Sequence, residues 1–133
     1  MSDSSRPDGR AAVHTDAAPA PSGGYSQGIV AGGFLHLAGQ GPFDAAGNLV
    51  GAGSIEAQVR QVFANLDAVA RAAGASLSDA VRVGAYLSDL AHFDAFDAVY
   101  RELFADPLPA RTTIQTDILE FDVEADAVIW LGD

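Results

Sequence analysis

The sequence lacks two residue types that carry particular kinds of chemistry. It contains no cysteine, which excludes disulfide bonds, thiolate catalysis and cysteine-ligated metal sites and favours a reducing, cytoplasmic compartment. It contains no lysine either, so a lysine Schiff base is excluded from any reaction. Long apolar runs are also missing, because none reaches the ~18 residues that a membrane-spanning helix needs.

Positive charge is scarce. The 133 residues include 18 acidic and 7 basic side chains, which give a formal net charge of −11. Such a charge repels nucleic acids and anionic membrane surfaces unless a local basic patch offsets it. All seven basic residues are arginines scattered along the chain. We therefore expect neither a nucleic-acid nor a membrane partner.

The apolar residues are sufficient for one small domain that contains two helices. Residues 1–18 are small and polar and are expected to form a flexible leader, followed by a domain over residues 19–133. Apolar residues at spacings of three and four predict a helix between Ser54, as N-cap, and Gly74. The same spacing predicts a second helix over residues 92–104.

Alternating or β-like segments predict strands between and after these helices. They lie on either side of Gly32-Gly33 and over residues 79–88, 111–119 and 122–132. Two helices combined with several strands predict an α+β domain, in which a mixed sheet is packed by two helices in two layers.

The stretch over residues 24–28 reads G-x-S-x-G, the pattern of a serine-hydrolase nucleophile elbow. An elbow needs a strand before the serine and a helix after it. Here a Pro/Gly-rich stretch precedes Ser26 and strand-like residues follow it, so Ser26 is not expected to be a nucleophile. The three histidines, His14, His36 and His92, lie too far apart in sequence for a local metal site, and no metal is expected.

Several stretches, taken in order, resemble the RidA/YjgF family, also called the reactive intermediate/imine deaminase or L-PSP family. They are "GGYSQG", "LAGQGP", "LPARTTIQ" and "VEADAVI", and the resemblance covers roughly residues 18–130. It implies a chorismate-mutase-like fold and a homotrimer with clefts between subunits. It also implies hydrolysis of enamines and imines of 2-amino acids to 2-oxo acids and ammonia, without a cofactor or a metal.

The resemblance implies roles for individual residues. Arg111 matches the arginine that holds the substrate carboxylate, and a guanidinium can grip a carboxylate through two parallel hydrogen bonds. Glu124 matches the glutamate that orients or activates water, which an imine carbon needs at hydrogen-bond range. Tyr25 matches a tyrosine that lines the cleft, where its hydroxyl can hydrogen-bond the ligand or water, and at the position of Thr113 the family's backbone contacts the ligand. Asp126 lies two residues beyond Glu124, and therefore on the same strand face, at a position where the family often has a second glutamate.

Other matched positions depart from the family pattern. Ala38, beside Gly39 in the substrate-binding stretch, replaces a common serine, and Asp97 stands where imine-deaminating members often have asparagine. These departures suggest an altered substrate. They leave open a pathway-specific enzyme acting on another unstable carboxylate, or a non-catalytic trimer that binds small carboxylates. The endoribonuclease activity attributed to some members is disfavoured by the acidic charge.

Strand geometry gives an argument that is independent of the resemblance. If residues 111–119 and 122–130 form a hairpin that turns near residue 120, Arg111 and Glu124 lie roughly 20 Å apart at ~3.4 Å per residue. One chain could hardly bring both to one small substrate. The hairpin therefore predicts an oligomer with sites shared between subunits.

Overall fold

The fold is a seven-stranded sheet with two helices on one of its faces. The computed structural model describes residues 4–5 and 9–132. Its strands, β1 to β7, are Ser4–Ser5, Ala11–Val13, Gly28–Ala31, Phe34–Gln40, Ala80–Leu87, Ala110–Gln115 and Val123–Trp130. Its helices are α1, Ile55–Ala72, and α2, Phe93–Leu103. The predicted α+β class with a mixed sheet and two helices is confirmed.

The strand order is β1-β2-β3-β4-β7-β5-β6. Neighbouring strands are antiparallel except β5 and β6, which are parallel because α2 connects them as a crossover. The predicted hairpin between the last two strands is wrong, since β5 lies between β6 and β7 and pairs with both. Alternation along a strand indicates which residues share a face, but it does not identify the neighbouring strand.

The predicted helix ends are confirmed. The Ser54 side chain accepts a hydrogen bond from the backbone N–H of Ala57 at the start of α1. Gly74, just beyond α1, adopts a φ of 82°, which favours glycine. Asp89 caps the short 3-10 turn that leads into α2 by accepting from the Ala91 N–H. In the described part of the chain, no helix is long and apolar enough to cross a membrane.

An aromatic cluster joins the two helices. The Phe63 ring of α1 is 1% exposed, and its centroid lies 6.3 Å from that of Phe96, 5.7 Å from that of Tyr100 and 5.5 Å from that of Phe104. The contacts of Phe63 with Tyr100 and Phe104 are edge to face, and this geometry adds to the free energy gained by burying the rings. The cluster therefore fixes α2 against α1 and places its aromatic side chains beside β6.

The structure differs from the expected leader over residues 1–18. Ala11–Val13 form strand β2, which pairs with β3, and the side chains of Val13 and Ala18 are each 2% exposed. Residues 1–3 and 6–8 lie outside the described residues. A strand of three residues is too short to show a clear alternation of apolar and polar side chains. The sequence pattern therefore could not reveal β2.

Gln27 of the "GGYSQG" stretch holds this segment in place. Its side chain is buried, accepts a hydrogen bond from the Thr15 N–H (2.7 Å) and donates to the carbonyls of Thr15 (3.1 Å) and Pro19 (2.9 Å). Ser26 is followed by strand β3 rather than by a helix. The stretch therefore has a structural function at Gln27 and lacks the architecture of a nucleophile elbow at Ser26.

We predict that Phe63→Ala lowers the free energy of unfolding by about 3–5 kcal/mol, because it leaves a cavity among three aromatic rings. Urea denaturation followed by circular dichroism measures the loss. Leu90→Ala, at a side chain that is 50% exposed, is the control and should change stability by less than about 0.5 kcal/mol. Equal losses in the two variants would contradict the central place of the cluster.

Candidate functional site

Glu124 lies at the wall of a cavity beside the end of β4. The cavity has a volume of about 390 Å³, and Tyr25 and Gly39 also line it. Phe43 and Phe121 form an apolar part of the wall, with their rings packed edge to face at 5.4 Å. Three of the residues expected in the site, Tyr25, Gly39 and Glu124, are therefore brought together.

The surroundings of Glu124 favour its neutral form. Burial raises the pKa of the Glu124 carboxyl, and the nearby Asp126 raises it further. Asp126 in turn accepts a hydrogen bond of 2.8 Å from the Tyr86 hydroxyl, and this bond is the largest cause of a raised Tyr86 pKa. Gly84 lies opposite Asp126 in the strand register. Because glycine has no Cβ, it leaves the space in which the Asp126 carboxylate sits.

Gly39 is required for the position of Glu124. A Cβ built at Gly39 would lie 2.8 Å from the Glu124 Oε2, so any other residue here would displace the carboxyl from its present position. Across the cavity, the Tyr25 hydroxyl accepts a hydrogen bond from the Ser22 N–H at 3.1 Å. Ala38 donates its backbone N–H to the Gln27 carbonyl, and its side chain is not among the described groups that line the cavity.

Arg111 lies in a second, separate cluster between β6 and α2. Its guanidinium carbon is 4.4 Å from the centroid of the Tyr100 ring, 5.4 Å from that of Phe96 and 5.5 Å from that of Phe93. Its Nη1 donates to the Asp97 Oδ1 at 2.9 Å. Cation–π contacts and a charge-assisted hydrogen bond together hold the guanidinium in one orientation.

Asp97 also accepts a hydrogen bond of 2.9 Å at its Oδ2 from the Arg101 Nε. Burial pushes the Asp97 pKa upward, but the bonds from Arg101 and Arg111 outweigh it and hold the pKa below its usual range. The hydroxyl groups of Tyr100 and Thr113 are buried and have no hydrogen-bond partner in the described part of the chain. A small cavity of about 200 Å³ is lined by Asp97, Tyr100, Arg101 and Arg111.

Arg111 and Glu124 lie on opposite faces of the sheet. Arg111 pairs in register with Val83, whose side chain is buried on the helix face, whereas Glu124 alternates with the buried Val123 and Ala125 and so points to the other face. Two strand spacings and three residues separate their Cα atoms, which gives about 14 Å. This estimate replaces the 20 Å expected from the hairpin, and the sheet itself lies between the two side chains.

Most of the sequence matches the model of a known protein family. The family model described as Endoribonuclease L-PSP matches residues 15–129. This chain belongs to the L-PSP family, also called RidA/YjgF. The resemblance inferred from the sequence motifs is thus confirmed.

Relatives of the L-PSP protein cover most of its length. A RutC family protein of Pyrococcus horikoshii is 42% identical over 111 residues, which are 84% of this chain and 88% of the relative. A 2-iminobutanoate/2-iminopropanoate deaminase of Dermatophagoides farinae is 36% identical over 77% of this chain and 80% of its own. The crystal structure of RidA from an Antarctic Psychrobacter bacterium has a TM-score of 0.82 and 34% identity, and the match covers 89% of this chain and 97% of that one.

Sequence reasoning missed several residues of these two clusters. Tyr86 lies next to Glu124 because β5 pairs with β7, which the alternation pattern cannot reveal. Tyr100 and Arg101 could have been found, since they follow Asp97 by three and four residues on a predicted helix and therefore share its side. Among the described residues, no three His, Asp or Glu side chains form a group that could hold a metal ion.

We predict that Glu124→Gln stabilises the protein at pH 7. When folding raises the pKa of a carboxyl, the free energy of unfolding falls as the pH rises through that pKa. At neutral pH the wild type carries this loss of stability, and the amide variant does not. The gain should vanish near pH 4, where the unfolded carboxyl is also largely protonated. Urea unfolding midpoints at the two pH values measure the difference.

The matched control is Glu56→Gln in the first turn of α1, where the carboxylate pairs with Arg60 at 3.1 Å. This change removes a favourable ion pair and should not stabilise the protein at either pH. A Glu124→Gln variant that is less stable than the wild type at pH 7 would contradict the inferred effect of burial.

Proposed function

We propose that this L-PSP protein hydrolyses reactive enamine and imine forms of 2-amino acids to a 2-oxo acid and ammonia. The observation that carries the proposal is Glu124, a half-buried carboxyl with a raised pKa at the wall of a cavity that it shares with Tyr25. The deaminase of Dermatophagoides farinae, 36% identical over 77% of this chain, supports the same reaction class.

Arg111 would bind the substrate carboxylate. Its side chain is 18% exposed, and its guanidinium is oriented by the Tyr100 ring and by Asp97, so the remaining N–H groups are fixed in direction. A fixed guanidinium edge sets both the position and the plane of a carboxylate. The C=N carbon next to that carboxylate is then held at a defined distance from the rest of the site.

Glu124 would manage the proton of the attacking water. Once the enamine has tautomerised to the imine, the water oxygen bonds to the C=N carbon as Glu124 takes one water proton. Glu124 then returns that proton to the nitrogen, which gives a carbinolamine. Loss of ammonia from that carbon leaves the 2-oxo acid. A carboxyl whose pKa is raised toward neutrality can accept and return a proton at working pH. The Tyr25 hydroxyl would orient the water or the substrate.

The two clusters would meet between subunits of a homotrimer. Arg111 and Glu124 lie on opposite faces of one sheet, so a small substrate would contact Arg111 of one protomer and Glu124 of the partner subunit. The helix-free face of the sheet carries exposed large apolar side chains at Phe34, Ile114 and Trp130. An apolar sheet face of this kind favours association with another copy.

Two other functions remain as alternatives. The Asp97–Arg111 pair occupies part of the proposed carboxylate site, which favours a pathway-specific enzyme for another unstable carboxylate if simple imines are not turned over. A carboxylate-binding trimer without catalysis would bind 2-oxo acids and accelerate nothing. Endoribonuclease activity is disfavoured, because a net charge of −11 repels a polyphosphate backbone.

We predict that Arg111→Ala and Glu124→Gln fail in different ways. Arg111→Ala should weaken binding of 2-oxobutanoate by about 10- to 100-fold, since it removes charge-assisted hydrogen bonds. Glu124→Gln should keep most of the binding but lower kcat by about a hundredfold or more. Calorimetry measures the binding, and release of 2-oxo acid from 2-iminobutanoate generated in situ measures the turnover.

Arg71→Ala, which removes an exposed arginine from α1, is the control for the loss of a positive charge and should leave both measurements unchanged. Wild-type binding of 2-oxobutanoate without any faster release of 2-oxo acid would refute the deaminase and support the non-catalytic alternative.

We further predict that the two inactive variants rescue each other when mixed. If each site takes Arg111 from one protomer and Glu124 from the next, unfolding and refolding an equal mixture of Arg111→Ala and Glu124→Gln gives about a quarter of the sites both native residues. The mixture should therefore recover about a quarter of wild-type activity. Mass spectrometry would check that mixed oligomers have formed. If they have formed and the mixture is still inactive, no site combines Arg111 of one protomer with Glu124 of another.

A further inference from the structure

Arg111 already has a carboxylate partner within its own chain. The Asp97 Oδ1 accepts from its Nη1 at 2.9 Å, and both side chains are less than a fifth exposed, at 19% and 18%. A hydrogen bond between opposite charges is strengthened when water is largely excluded. Any anionic ligand at Arg111 therefore meets a guanidinium whose charge is already offset.

Arg101 weakens this internal pairing. It donates its Nε to the other Asp97 oxygen at 2.9 Å, and its own side chain is 70% exposed. The Asp97 carboxylate is thus shared between a buried and a solvent-facing guanidinium, and the three side chains together carry one net positive charge. Removing the exposed arginine would leave the whole Asp97 charge acting on Arg111.

The surroundings of Arg111 also retain unused polar groups. The hydroxyls of Tyr100, which is 3% exposed, and of Thr113 are buried without a hydrogen-bond partner in the described part of the chain. Buried hydroxyls nearly always have partners in folded proteins. Thr113 follows Arg111 on the same face of β6, and Tyr100 lines the same small cavity as Arg111. Neither oxygen is accessible to solvent, so a ligand would reach these hydroxyls only if the side chains around them moved.

We propose that Asp97 is a specificity-determining residue that competes with the ligand's carboxylate for Arg111, and that Arg101 sets the strength of this competition. The inference rests on the proposed function, because it takes Arg111 as the carboxylate site. A ligand carboxylate and Asp97 would share one guanidinium and repel each other, whereas a neutral amide of the same shape would not be repelled. The native site therefore discriminates only weakly between a 2-oxo acid and its amide.

The test measures binding of 2-oxobutanoate and of 2-oxobutanamide to the full chain by calorimetry. Asp97→Asn should tighten binding of the oxo acid by about tenfold and change binding of the amide by less than about twofold. Arg101→Gln should weaken binding of the oxo acid by about threefold in the native background and by less than twofold when combined with Asp97→Asn. Such non-additivity is expected only if Arg101 acts through Asp97.

The matched control is Asp67→Asn on α1, which makes the same chemical change at a residue that also pairs with an arginine four positions later, Arg71, at 2.7 Å. It should leave both affinities unchanged. If Asp97→Asn does not fold, Arg101→Gln decides alone, and an unchanged affinity for the oxo acid overturns the proposal.

Two outcomes separate this inference from the proposed function. If Arg111→Ala abolishes binding of the oxo acid while Asp97→Asn leaves it unchanged, the carboxylate site stands and the competition by Asp97 is refuted. If neither the native protein nor Asp97→Asn binds the oxo acid, Arg111 is not a carboxylate site and both proposals fall.

Discussion

The alternation of side chains across the sheet is the constraint on which the candidate site depends. Strand β7 buries Val123 and Ala125 beneath the helices, so Glu124 between them must point to the opposite face. Arg111, in register with Val83, must point to the helix face. No rotamer change can move either side chain through the hydrogen-bonded strands. A site that uses both groups on one small molecule therefore requires a second copy of the chain.

The two clusters handle buried charge in opposite ways. The positive charge of Arg111 is balanced locally by Asp97 and by the aromatic rings of α2. Glu124 has no compensating cation among the groups that shift its pKa, and burial together with Asp126 drives it toward protonation. One cluster is suited to hold a fixed charge, and the other to exchange a proton.

Features encoded by local interactions could be predicted from the sequence. The Ser54 cap, the stop at Gly74 and the helical spacing through Phe96 and Tyr100 depend on residues close together in the chain. The partners of β6 and β7 could not be predicted. The same alternation of side chains would be compatible with β6 pairing with β7 or with β5. Strand β2 was missed because it has only three residues, which pair through their backbone and give no recognisable side-chain pattern.

The candidate site was predicted as a set of residues but not as an arrangement. The motifs pointed to Tyr25, Gly39 and Glu124, which share one cavity, and to Arg111 and Asp97, which share another. That Asp97 bonds to Arg111 follows from α2 packing over the edge strand β6, a tertiary contact with no local signature. Asp97, which departs from the asparagine expected at this position, thus pairs with an arginine fourteen residues away. The effect of such a departure on ligand choice can be derived only once the packing of that helix is known.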